Sequence, residues 1–230
     1  MEKRHKKALA RTLNCGAACT RLVLLVALFI PAFWSSARTF APLEQPAQPR
    51  AGNAFATTER PRVKQLVQAY AIVKFRRPDI TDTEAWRISE VIVEESSNRQ
   101  LDPLLVLAVI QIESNFQQAA VSPMGARGLM QIMPDTGRYL AEALHRDRGL
   151  RPAVFRPESL DDPSYNIRLG TYYLHGLRNK FRDINLALIA YNLGPGEVQN
   201  RIENNLDFSD QFAAVVLDTY HGYKKPPPRF

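Results

Sequence analysis

Asp102-Pro103 is a strong helix start, with Asp suited to the N-cap and Pro to the first helical position. The segment it opens, Leu104 to Asn115, is apolar almost throughout. It ends on Ile112-Glu113-Ser114, directly before a loop rich in Gly, Ser and Pro. Similar punctuation recurs along the chain. Thr81 or Asp82 can cap a helix whose Trp86, Ile88, Val91 and Ile92 face inward. Pro134 opens a helix with Tyr139, Leu140, Ala143 and Leu144. Asp162-Pro163 opens another, with Ile167, Gly170, Tyr173, Leu174 and Leu177 at helical spacing. Asn185 precedes a helix from Leu186 to Asn192 that stops at Gly194-Pro195-Gly196, and Ser209 or Asp210 begins the last one, with Phe212, Val215, Val216 and Tyr220.

Upstream, Val63, Leu66, Val67, Tyr70 and Val73 recur at three and four, which predicts one more amphipathic helix, ending before Pro78. No alternating strand pattern of useful length is present. The expectation is a mainly α chain with a single helical domain over residues 62–223. Residues 38–61 carry Pro42, Pro46, Pro49 and Pro61 among Ala, Gln, Thr and Gly and read as a linker. Residues 224–230 form a tail with three consecutive prolines, expected to be extended or disordered.

The formal charge of +7 first suggests an anionic partner, but its distribution argues against one. Lys3, Arg4, Lys6, Lys7, Arg11 and Arg21 face only Glu2 within residues 1–37, which leaves a net +2 for everything after Ala37. Nucleic-acid binding thereby loses its main support. Residues 1–37 read instead as an export signal. A basic stretch ends at Arg21, an apolar run follows from Leu22 to Trp34, and Ser35 and Ala37 are spaced like signal-peptidase positions. At about thirteen residues the run is short of the ~20 that span a bilayer. Cleavage after Ala37 is the favoured reading, an uncleaved membrane anchor the second, and a buried cytoplasmic helix the third. Membrane contact is expected only through this segment. Cys15 and Cys19 both precede the apolar run, so a cleaved chain would hold no thiol for a disulfide or for catalysis.

Among chemistries, metal catalysis is poorly supported. His5, His145, His175 and His221 stand in no ligand spacing, and no cofactor motif appears. Three constellations remain. Glu113, half-sheltered by Val109, Ile110 and Ile112, should resist ionisation near neutral pH and so can serve as a general acid; the plain alternative is a solvated glutamate at a helix end. The stretch from Ser122 to Pro134 has glycines that let backbone approach a ligand. Gln131 there can donate and accept hydrogen bonds, and Met130 and Met133 offer adaptable apolar surface; a buried Met pair beside a turn competes with that reading. Ala190-Tyr191-Asn192 ends a helix on a tyrosine that could bond a buried carboxyl or simply pack in the core.

In their order and spacing, Glu113-Ser114, Gly128-Leu129-Met130-Gln131, Ala190-Tyr191-Asn192 and the run from Asn166 to Leu174 resemble the soluble-type (SLT domain) lytic transglycosylases. The resemblance covers roughly residues 95–205. It implies a goose-type-lysozyme-like α fold and a periplasmic or cell-envelope enzyme acting on peptidoglycan glycan strands. The implied reaction cleaves the bond between N-acetylmuramic acid and N-acetylglucosamine without water and leaves a 1,6-anhydro product. Glu113 matches the single catalytic acid/base. Ser122, Gln131 and Met133 match cleft residues, and Tyr191 matches a tyrosine whose hydroxyl holds the catalytic carboxyl. Some such families serve secretion or pilus machines, so cell-envelope machinery is a further partner class. Leu193 departs from the pattern, which often has a small residue after Ala-Tyr-Asn. A hydrolase needs a second carboxylate, and a distant one such as Asp161 could fold back. A lysozyme-like hydrolase and a non-catalytic wall-binding accessory therefore remain alternatives.

Overall fold

The computed structural model describes residues 53–147, 149 and 154–225, with side chains from Pro61 onward. The segment read as an export signal, the first part of the stretch read as a linker and the end of the tail lie outside the described residues. Within them run eight α-helices: α1 Asn53–Arg76, α2 Asp82–Asn98, α3 Pro103–Ser114, α4 Pro134–Asp147, α5 Pro163–Phe181, α6 Ile184–Leu193, α7 Pro195–Glu203 and α8 Gln211–Lys224. A short 3-10 turn, Pro157–Asp161, precedes α5. Among the described residues, pairing outside helices amounts to isolated bridges of Arg127 to Val121 and Ile132. None of the described helices is long and apolar enough to cross a membrane.

α3 organises the rest. Val106 to Ile110 are all fully buried, and a helix apolar on every side needs neighbours on every side. α1, α2 and α8 pack against it. Asp102 caps it as expected, accepting from the Leu104 N–H at 3.0 Å, and also accepts from the Tyr220 hydroxyl of α8 at 2.7 Å. α6 is the second interior helix, buried from Ala187 to Tyr191, and lies between α5, α7 and α8. Together the two interior helices carry the Glu113 and Tyr191 motifs.

Several local expectations are revised. α1 starts at Asn53, inside the stretch read as linker, and passes through Pro61, a proline that costs a helix one rung of hydrogen bonding without necessarily ending it. Val63 and Val67 are about half exposed; α1 turns Leu66, Ala69, Tyr70 and Val73 inward instead. Trp86 is also exposed, its ring against Tyr70 at 5.6 Å and its indole N–H on Glu90 at 2.9 Å. Thr81 caps α2 in a full capping box with Glu84. Gly194 does stop α6, but Pro195 is simultaneously the first residue of α7, a helix the sequence reading missed.

Candidate active site

Glu113 sits in the last turn of α3. There the chain leaves the helix through two left-handed residues, Asn115 at φ 47° and Phe116 at φ 60°. Ser114 fixes that exit: its buried hydroxyl lies 3.1 Å from the Ile110 carbonyl and 2.8 Å from the Leu129 carbonyl of the following loop. Glu113 itself makes no hydrogen bond or ion pair with the described residues. Burial alone pushes its carboxyl up to about 7. A carboxyl poised there holds its proton near neutral pH yet can release it.

The loop from Asn115 to Met133 is held from within and from below. Ser122 closes a turn at Gly125 (φ 85°), its hydroxyl accepting from the Ala126 N–H at 3.0 Å, so its own hydrogen stays available. Arg127 and Ile132 exchange two backbone hydrogen bonds of 3.0 Å. Gln131, at φ 46°, donates its amide group to the carbonyls of Ala120 at 3.1 Å and Gly128 at 3.0 Å. Only its side-chain oxygen is left for a ligand, so Gln131 is an acceptor and not the two-way partner expected from its type. Met133 is 41% exposed, whereas Met130 is wholly buried.

Below the loop lies Asn166, fully buried on α5. It accepts from the Met130 N–H at 2.7 Å and donates to the carbonyls of Arg127 at 2.8 Å and Leu160 at 2.9 Å. Gly128, at φ 76°, must be glycine here, because a Cβ would fall 2.2 Å from the Leu160 oxygen. Gly170, one helical turn beyond Asn166, admits Met130: a Cβ on it would stand 2.3 Å from the Met130 sulfur and 2.8 Å from its Cβ. Rotating the Met130 side chain relieves the first clash but not the second. Gly170→Ala is therefore expected to cost about 1–3 kcal/mol, measured by urea unfolding.

Tyr191 differs from expectation. Its buried hydroxyl donates to the Met130 carbonyl at 2.8 Å instead of to a carboxyl. It lies close enough to Glu113 that a charge there helps burial raise the phenol well above its usual value. Tyr173 of α5 packs its ring 5.2 Å from Tyr191 and is itself pushed up to about 12 by burial. Asn192 and Leu193 both face solvent.

Three further acidic groups, Asp161, Glu95 and Asp135, are each paired with arginine. Asp161 is paired with Arg127, at 3.0 Å and 2.5 Å. Glu95, which the sequence reading passed over, is buried on α2 between Arg99 at 3.1 Å and Arg168 at 2.8 Å. Asp135 points outward beside Arg138. Among the described residues no group of three His, Cys, Asp or Glu converges as a metal site would need.

A lysozyme-like, all-α fold that presents one sheltered glutamate at the end of its central helix defines the class. The transglycosylase SLT domain model matches residues 90–212, and the chain belongs to that family. Over 134 residues it is 32% identical to the soluble lytic murein transglycosylase of Escherichia coli K12, covering 56% of this chain and 20% of that protein. It is 35% identical over 115 residues to membrane-bound lytic murein transglycosylase C of Haemophilus influenzae, covering 46% of this chain and 31% of that one. The lytic transglycosylase Slt of Pseudomonas aeruginosa, solved as an inactive glutamate-to-glutamine mutant, superposes with TM-score 0.51 at 28% identity, over 70% of this chain and 30% of that one. The chain thus spans about a fifth to a third of these relatives.

Proposed function

We propose that this chain is an exported peptidoglycan lytic transglycosylase in which Glu113 alone serves as acid and base. The observation that carries the reading is the half-buried carboxyl of Glu113, unpaired among the described residues and raised to about 7. Its proton would pass to the glycosidic oxygen between N-acetylmuramic acid and N-acetylglucosamine as the bond from that oxygen to C1 breaks. The muramic 6-hydroxyl then bonds to C1 and gives its proton to the Glu113 carboxylate. The acid is restored, no water is consumed, and the sugar leaves as the 1,6-anhydro form. Because attacker and electrophile belong to one ring, the step gains high effective molarity.

The neighbours fit supporting parts. The Ser122 hydroxyl can donate to the muramic sugar, the Gln131 oxygen can accept from a sugar amide, and Met133 offers an exposed apolar surface. With its hydrogen committed to Met130, Tyr191 can offer Glu113 only an acceptor, which favours the protonated carboxyl. An envelope location agrees with the basic and apolar N-terminus and with the names of the relatives.

The hydrolase alternative needs a second carboxylate across the bond. Asp161, the candidate for that role, is tied to Arg127. The decisive experiment is mass spectrometry of muropeptides released from purified sacculi. Anhydro ends are expected; reducing ends would favour hydrolysis, and no release would favour a wall-binding accessory.

A further inference from the structure

α1 and α8 both pack on α3, and at the start of that helix they leave an open groove of about 730 Å³ between them. Leu104 at its floor is roughly 14 Å from Glu113 along the axis of α3, so the groove is remote from the proposed acid. On α1, Val63, Val67, Ala71 and Phe75 recur at every fourth position and all face solvent, Phe75 at 80%. A repeat of four keeps them on one side of the helix. Val67 and Ala71 of that side join Leu104 in the groove. A smaller hollow of about 270 Å³ continues it past Lys64 and Gln68 to Pro61 and Pro103. From Pro61 to Ala71 the groove follows α1 for about 15 Å, or roughly three turns.

The rim is cationic on both walls. Lys64 stands on the α1 side, and Lys224 and Lys225 stand at the end of α8. All three lie outside the 90–212 stretch that defines the family. Lys224 is partly engaged, 3.5 Å from the Asp102 carboxylate and 4.1 Å from the centre of the Tyr220 ring. Lys64 and Lys225 make no ion pair with the described residues. Among those residues no carboxylate lines the main groove. Asp102, at the edge of its continuation, already accepts from the Leu104 N–H and the Tyr220 hydroxyl. An apolar floor between lysines on either side complements a helix whose apolar face is flanked by carboxylates. A second copy seated here symmetrically would bring lysines against lysines. A bilayer surface would meet the lysines but not a floor recessed between two helices.

We infer that this groove is a docking site for an acidic amphipathic helix of a partner protein. The probe is a fluorescein-labelled designed helix of about five turns, with leucines on one face and glutamates beside them. Its controls are a scrambled peptide of the same composition and a twin with lysines in place of the glutamates. In an anisotropy titration of the full chain at low salt, the acidic helix is expected to bind about tenfold tighter than its lysine twin, the scale of two or three exposed ion pairs. It should also outbind the scramble, which keeps the charge but not the apolar face. Lys64→Glu combined with Lys225→Glu should weaken binding about tenfold, added salt should do likewise, and Val67→Glu should abolish it. Tyr139→Ser, on the exposed surface of α4, should leave it unchanged. No binding of the acidic helix, equal binding of either control, or an affinity that the groove variants leave unchanged overturns the inference. Self-association of the chain, or binding to phosphatidylglycerol vesicles, that Val67→Glu abolishes assigns the groove to a second copy or to a bilayer and overturns it as well.

Discussion

Glu113→Gln is expected to lower turnover of sacculi at least ~100-fold, the lower range of a general acid/base contribution, while making the protein more stable at neutral pH. Both effects have one cause. Burial raises the Glu113 carboxyl from an ordinary 4.5 to about 7 in the folded state. Between those two values the folded protein binds a proton that the unfolded chain has released, so wild-type stability falls as pH rises through that window. Glutamine carries no charge to desolvate at any pH. The variant should therefore match wild type near pH 4 and exceed it above pH 7, by up to about 3 kcal/mol for a shift from 4.5 to about 7. Urea unfolding at pH 4 and pH 8 measures the gap. Wild-type kcat/KM should also decline on the alkaline side of about 7, as the acid loses its proton. Undiminished turnover in the variant would remove Glu113 from the reaction. A stability gap independent of pH would show that the carboxyl is not sheltered.

What was legible in the sequence is what local chemistry dictates. Asp102-Pro103 and Asp162-Pro163 start α3 and α5 because capping and a preset φ act within a few residues. The apolar helix around Glu113 made partial desolvation of its carboxyl an expectation, and burial does raise it. Periodicity failed on α1 and α2. Val63, Val67 and Trp86 fit the spacing of a buried face, but which side of a helix is covered depends on its partners. α7 was missed because Gly194-Pro195 serves as stop and start at once, and only the stop is commonly read from such a pair. Tyr191 illustrates the deeper limit. Its acceptor, the Met130 carbonyl, is 61 residues away in the chain, and no local signal distinguishes that carbonyl from a carboxyl.

Asn166→Ala is expected to be the most damaging change away from the reacting centre. Asn166 is fully buried and makes three hydrogen bonds, all to backbone of the loop and the turn before α5. Alanine would leave the Met130 N–H and the Arg127 and Leu160 carbonyls facing a small void. At about 1 kcal/mol for each lost bond, with a further penalty for stranded groups, the loss should be about 3–5 kcal/mol. That is a large share of a typical domain's stability. Unfolding should be partly local, because the loop loses its support from α5. Trypsin cleavage after Arg127 should accelerate under conditions where the rest of the domain stays folded. Asn166→Asp separates the donor bonds from the acceptor bond. A carboxylate can still accept from the Met130 N–H, but it cannot donate to either carbonyl and would be a buried charge facing two oxygens. Its folded-state pKa should be raised, so this variant should lose stability as pH rises and recover part of it in acid. Equal stability for both variants at every pH would mean that Asn166 matters only as packing. A wild-type rate of Arg127 cleavage in Asn166→Ala would mean that the loop beneath the proposed acid is held by its own backbone bonds alone.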